Sequence, residues 1–266
     1  MSGKKEMSRN TLAIWGGEEG QDFWQRSTQV PVVNSISFGY QDLEDWQATA
    51  LQQAEGHIYG RDTNPTVHVF EEKVRLLEGA EAAVSFASGM AAISDTLFTL
   101  LRPGDQMVSI KDSYGGTNRI FTEFLPGFDI NVALCETTDH EQIESEILKG
   151  CKLLYLESPT NPTIKIIDIE RLAAAAHEAG AVVVVDNTFM GPTFQHPLKL
   201  GVDLVMYSAT KFLSGFSDML GGVVLGKDLE QIQTLQGTRA ILGNILQPDE
   251  CWLLDSRLPM VQLRMN

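Results

Sequence analysis

The chain has 266 residues, 43% of them hydrophobic and 21% charged, a balance that excludes a disordered or collagen-like chain and suits one large domain, or one and a part. Lys and Arg number 20 against 35 Asp and Glu, a formal charge of −15. So acidic a chain argues against nucleic acid or an anionic membrane as the main partner, although a few local donors can still hold a small anion. The 3 cysteines, Cys135, Cys151 and Cys251, have neither a disulfide framework nor metal-type spacing, so no metal site is expected. No apolar stretch follows the charged residues of the first ten, and the longest apolar runs are too short to span a bilayer. A reducing cytoplasm is the expected location.

Residues 1–60 show little periodicity. They read as an extended arm that carries Trp15, Trp24, Phe38, Tyr40 and Trp46 and one helix near residues 42–53. An apolar-dotted arm of this kind is expected to pack on something else, another subunit included. From Asn64 a rhythm sets in. Asn64 at the cap and Pro65 at the first helical position open a helix that Gly79 ends, with Val67, Phe70, Val74 and Leu77 at helical spacing. Strands are predicted at 82–86, 106–110, 129–134, 152–157, 181–186 and 203–208. Helices are predicted from 88 to about 101 and at 117–125, 141–148 and 169–178. Strand alternating with helix implies an α/β fold, a mostly parallel sheet with helices on both faces.

In open parallel sheets, ligands bind beyond the carboxyl ends of the strands. Here those ends read Glu157-Ser158-Pro159-Thr160-Asn161, Asp186-Asn187-Thr188 and Ser208-Ala209-Thr210-Lys211. Lys211 on its own is a surface loop lysine. Placed at a sheet mouth beside Ser208 and Thr210, it is an amine that desolvation can turn toward nucleophilic use. Asp186 closes an apolar run, where a carboxylate is costly without a partner. It is either a turn aspartate or the acidic partner of a ring nitrogen. Ser88-Gly89-Met90 opens a helix whose backbone donors suit a phosphate, although such starts are also common caps. No Gly-x-Gly-x-x-Gly and no Gly-x-x-x-x-Gly-Lys-Ser/Thr occurs, which weakens a nucleotide-binding reading. A ligand with a phosphate, a basic ring nitrogen and an aldehyde meets these demands together, and pyridoxal phosphate has all three.

The same residues carry a resemblance. Tyr59-Gly60-Arg61 with Asn64-Pro65-Thr66, Ser88-Gly89-Met90-Ala91, Asp112-Ser113-Tyr114-Gly115-Gly116-Thr117, the strand end at 156–162, Asp186-Asn187-Thr188-Phe189 and Ser208-Ala209-Thr210-Lys211 resemble the cysteine/methionine-metabolism family of pyridoxal-phosphate enzymes, from about residue 30 onward. The resemblance implies the aspartate-aminotransferase-like (type I) fold. It also implies elimination or replacement at the γ carbon of a sulfur amino acid, of the cystathionine gamma-lyase or gamma-synthase type. Methionine gamma-lyase or O-acetylhomoserine sulfhydrylase activity is the alternative. By the same resemblance, Lys211 would capture the cofactor aldehyde and shuttle protons, Asp186 would pair with the ring nitrogen, and Tyr114 would stack on the ring and act in acid–base steps. Asn161 would sit near the phenolic oxygen, and Gly89, Met90, Ser208 and Thr210 would hold the phosphate. Ser88 and Thr188 join the expected cofactor contacts. Tyr59 and Arg61 would reach the phosphate of a neighbouring subunit, which implies a homodimer or homotetramer with shared sites. His57, His68, His140, His177 and His196 match no role and read as surface or packing residues.

Departures from the family pattern set further expectations. The expected Leu-Leu-Arg-Gly reads Leu253-Leu254-Asp255-Ser256, Asn34 stands where an aromatic is common, and Gly116 replaces the cysteine of typical methionine gamma-lyases. The division expected is an arm over 1–60, a cofactor domain over 61–247, and the start of a largely missing small C-terminal domain over 248–266. That domain would supply the arginine for the substrate carboxylate, so a non-catalytic cofactor-binding chain is a rival reading. Apolar surface is expected to lie open around Ile245, Leu246, Trp252 and Leu253.

Overall fold

The structure is a computed structural model and describes residues 8–15, 27–51 and 53–266. Trp24, Gln52 and most of the first ten residues, on which readings of the arm rest, lie outside the described residues. Helices α1 (Arg9–Trp15) and α2 (Leu43–Ala50) precede α3 (Pro65–Glu78). The chain then alternates through β1 (Ala82–Phe86), α4 (Gly89–Leu100), β2 (Gln106–Ile110), α5 (Gly115–Arg119), β3 (Asn131–Cys135), α6 (His140–Ile147), β4 (Cys151–Glu157) and α7 (Ile169–Glu178). It continues through β5 (Val182–Asp186), α8 (Gly191–Phe194), β6 (Leu204–Tyr207), β7 (Gly222–Gly226), α9 (Leu229–Leu242), α10 (Pro248–Arg257) and α11 (Val261–Met265).

Local chemistry explains the boundaries. The Asn64 side chain accepts the N–H groups of Thr66 and Val67 at the start of α3, and Gly79 ends it in the left-handed conformation at φ 79°. Ser88 caps α4 by accepting the Ala91 N–H. The helix expected over 117–125 is instead α5, a π turn at Ile120–Phe124 and a 3-10 turn at Leu125–Phe128. Asp129 then takes a left-handed φ of 60°, so β3 starts at Asn131 rather than 129. One strand escaped the sequence reading, β7, a short glycine-bounded run with no helical neighbour pattern before it.

Among the described residues seven strands form one sheet in the order β1-β7-β6-β5-β4-β2-β3. Strands β6, β5, β4, β2 and β3 pair in parallel, and β7 runs antiparallel to both β1 and β6. Reversal at β7 leaves β1 pointing the same way as β6, so the start of α4 emerges at the same sheet edge as the ends of β4, β5 and β6. Each face of the sheet is covered, as continuous apolar strands require. Val183, Val185, Val205 and Leu225 pack with residues of α3, α6, α7 and α10. Val184, Met206, Val224 and Tyr155 pack with residues of α4, α9 and the π turn on the other face. Among the described residues no helix is long and apolar enough to cross a membrane.

The residues after 240 depart from expectation. Leu246 is buried, and Ile245, Trp252 and Leu253 are half-buried rather than open. The reason is α10, which lays Cys251 and Leu254 into the core shared with α3. Asp255, where the resemblance expects arginine, meets Lys73 of α3 at 3.0 Å in a buried ion pair. Breaking such a pair by removing one partner is costly because it strands the other charge.

Candidate active site

Three neighbouring strand ends and one helix start converge on a cleft with about 680 Å³ of empty space, its open mouth included. Its lining includes Ser88, Gly89 and Met90 from the start of α4, Tyr114 before α5, and Glu157 and Asn161 from the end of β4. Asp186 and Thr188 after β5, and Ser208, Thr210 and Lys211 after β6, complete its polar wall. Every expected cofactor contact is therefore in one place except Tyr59 and Arg61, which are not among the lining residues. Those two are exposed, with the Arg61 guanidinium 4.9 Å from the centre of the Tyr59 ring. The backbone beside them is held by α9, since Gln236 and Arg239 both donate to the Asp62 carbonyl, at 3.0 and 2.9 Å.

Hydrogen bonds of ordinary length fix the polar groups. The Thr188 N–H donates to Asp186 Oδ1 at 3.0 Å, and the Ser208 N–H donates to Thr188 Oγ1 at 2.8 Å, which ties the ends of β5 and β6 together. Thr210 Oγ1 exchanges hydrogen bonds with Gly221, whose N–H donates to it at 3.1 Å. Two glycines permit the close packing behind the helix start. A Cβ at Gly222 would stand 2.3 Å from the Ser88 carbonyl oxygen, and one at Gly89 would stand 2.8 Å from Ser208 Cβ and Oγ. The backbone donors of α4 and the Ser208 hydroxyl thus form a cradle that a side chain would fill.

Tyr114 is 44% exposed. Lys211 is exposed, so the desolvation expected of its amine is not supplied by this chain's own packing. The sheet mouth is open on that side, and only the strand itself is buried. Asp186 is 7% exposed, and burial pushes its carboxyl up to about 6. Glu157, its register partner on β4, is 4% exposed and is pushed up to about 8, by burial first and by the nearby Asp186 charge second. Glu157 was quoted within a strand-end motif but given no role. The argument used for Asp186, a carboxylate closing a buried strand, applies equally to it and was the available signal. The apolar lining from Ile93, Phe189, Met206 and Leu220 was also missed. None of the five histidines lines the cleft.

The raised carboxyls have a consequence for stability. Their values in the folded chain lie above the ordinary 3.8 and 4.5. Their stabilising contribution is therefore fully present below those ordinary values and is lost as pH rises through about 6 and about 8. Asp186→Asn keeps an oxygen for the Thr188 N–H and removes the buried charge. Without cofactor, its stability relative to wild type is expected to rise between about pH 5 and about pH 8, by on the order of 1–3 kcal/mol. Denaturant unfolding at the two pH values measures this, and an unchanged difference would refute it.

Comparison with known proteins agrees with this geometry. The family described as Cys/Met metabolism PLP-dependent enzyme matches residues 10–266. The chain is similar to a cystathionine gamma-lyase of Bacillus subtilis, 37% identical over 260 residues that cover 98% of this chain and 66% of the relative. It is also similar to a cystathionine beta-lyase of the same organism, 39% identical over 234 residues that cover 88% of this chain and 60% of the relative. Its fold matches the crystal structure of cystathionine gamma synthase from Xanthomonas oryzae pv. oryzae in complex with aminoacrylate and cysteine. That match has a TM-score of 0.89 and 30% identity, covering 97% of this chain and 65% of the other. The chain spans 60–66% of the length of these two curated relatives.

Proposed function

We propose a function from one premise: the chain belongs to the Cys/Met metabolism family of pyridoxal-phosphate-dependent enzymes. The proposed activity is elimination or replacement at the γ carbon of a sulfur amino acid, of the cystathionine gamma-lyase or gamma-synthase type. The supporting observation is the convergence of Lys211, Asp186, Tyr114 and the start of α4 on one cleft. These residues fit the cofactor, because the cradle at Gly89 and Ser208 leaves backbone donors free of side-chain bulk while an amine and a carboxylate stand at the neighbouring strand ends.

Pyridoxal phosphate, when bound, supplies an electron sink for charge developing on the substrate's α carbon. The chain's own residues do the rest. Gly89, Met90, Ser208 and Thr210 hold the phosphate, with Ser88 fixing the helix start and Thr188 fixing the strand end. Asp186 holds a proton on the ring nitrogen. Tyr114 covers the ring face, and Asn161 lies beside it. Lys211 would hold the cofactor through its amine and would carry the proton of the substrate's α carbon. Lys211 is exposed at the open mouth, where a substrate amino group could also reach. Tyr59 and Arg61, outside this cleft, are proposed to serve the phosphate of a second subunit, where a planar guanidinium donates two hydrogen bonds at once.

The test is spectroscopic first. Purified protein mixed with pyridoxal phosphate is expected to turn yellow, and borohydride followed by peptide mapping is expected to find the pyridoxyl group on Lys211. A label on another lysine would refute the assignment. Incubation with cystathionine, with O-acetylhomoserine plus cysteine, and with methionine then separates the activities by their products. The beta-lyase relative makes product identity decisive: 2-oxobutanoate with cysteine marks γ cleavage of cystathionine, whereas pyruvate with homocysteine marks β cleavage and overturns the γ proposal.

A further inference from the structure

The floor of the cleft holds a second buried carboxylate for which the proposed chemistry has no use. Glu157 closes β4 in register with Asp186 on β5. One of its oxygens accepts the Tyr114 N–H at 2.8 Å and the other accepts the Asn161 N–H at 2.8 Å. Tyr114 stands at the N-terminal end of α5, where no side chain caps the helix. Asn161 lies in the loop that leaves β4. The bases of these two loops are joined elsewhere, by Asp112, which accepts from Lys165 Nζ at 2.8 Å and from Thr163 Oγ1 at 3.2 Å. Inside the cleft it is the Glu157 side chain that bridges them.

We propose that Glu157 is a positioning residue, whose two carboxyl oxygens clamp the backbone of Tyr114 and Asn161 and so set where the aromatic ring and the amide stand over the cleft. A carboxyl group is suited to this because each of its two oxygens carries a lone pair for an N–H, whether the group is ionised or protonated. A carboxamide of the same shape offers one acceptor, and its NH₂ group would face the remaining N–H. Two backbone N–H groups from different loops converge on this one side chain. The consequence for cofactor geometry rests on the function proposed above, but the clamp itself exists without ligand.

NMR-resolved amide exchange on the protein without cofactor tests the clamp. In wild type the Tyr114 and Asn161 amides are expected to be protected. In Glu157→Ala both should exchange at least roughly tenfold faster, and in Glu157→Gln one of the two should do so, while amides of β4 and β5 keep their wild-type rates. Positioning, as distinct from mere support, is read from the visible circular dichroism of added pyridoxal phosphate. Its signal should change in Glu157→Gln while the borohydride-fixed label on Lys211 persists. Unprotected amides in wild type would overturn the clamp, and this needs no variant to fold. Unchanged amides in Glu157→Gln would also overturn it, and changed amides with an unaltered visible signal would overturn the positioning role. If wild type takes up no pyridoxal phosphate, the proposed function fails, and the amide rates still decide the clamp.

Discussion

Lys211→Ala protein, reduced with borohydride in the presence of pyridoxal phosphate, is expected to carry no pyridoxyl label in the cleft and to lose on the order of 10³-fold or more in turnover. Lys211 is the lysine among the cleft's lining residues, so no neighbouring amine stands ready to replace it. Its backbone is held on both sides. The Lys211 N–H donates to the Ser208 carbonyl at 3.1 Å, and its own carbonyl accepts the Gly215 N–H at 2.7 Å. Arg264 of α11 donates to the next two carbonyls, Phe212 at 3.0 Å and Leu213 at 2.9 Å. The turn should therefore survive the substitution, and the loss should be chemical. A positioned general base contributes typically about 10²–10⁴ in rate, and loss of covalent capture adds to that. The checks are peptide mass mapping and exchange of the substrate's α hydrogen in D₂O. A pyridoxyl group still found in the cleft, or exchange at wild-type rates, would rule out this role for Lys211.

Asp186→Ala is expected to slow the same exchange by about 10²–10⁴, the usual cost of a lost acid–base or charge partner. Asp186→Asn separates charge from packing. It keeps the acceptor for the Thr188 N–H, found at 3.0 Å, and loses only the anion. If the proton on the ring nitrogen is what matters, both variants fall together. If Asn retains most of the rate, Asp186 acts through packing and its proposed pairing is wrong. The same Asn variant is the one expected to gain stability at alkaline pH without cofactor. A buried carboxylate that costs stability without ligand, if it is also required for rate as proposed, would be a trade between stability and function.

Much of this site was legible from the chain because its signals are local. The cap at Asn64, the left-handed Gly79 and the Ser88 helix start each depend on a few consecutive residues and were found where expected. Asp186, Ser208, Thr210 and Lys211 were legible because each follows an apolar run whose length marks a buried strand. The break at Ile120–Phe124 was not legible, because apolar spacing over a single turn cannot distinguish an α from a π register. Tyr59 and Arg61 were singled out by motif as residues that would serve a second subunit, and they stand outside this chain's own cleft.

The sequence by itself determined the alternation of strand and helix, the sheet faces to be covered, and which residue types stand at the strand ends. All of these follow from periodicity, caps and the cost of burying polar groups. Only the tertiary structure decided that β7 reverses between β1 and β6, which brings the start of α4 beside Ser208. It also decided that Glu157 lies next to Asp186, that Lys211 stays exposed, and that α10 covers Leu246 and pairs Asp255 with Lys73. Strand order and desolvation arise from contacts between residues far apart in the chain. No window of neighbouring residues carries the energy of such contacts, so the chemistry of each strand end was readable in advance while the company it keeps was not.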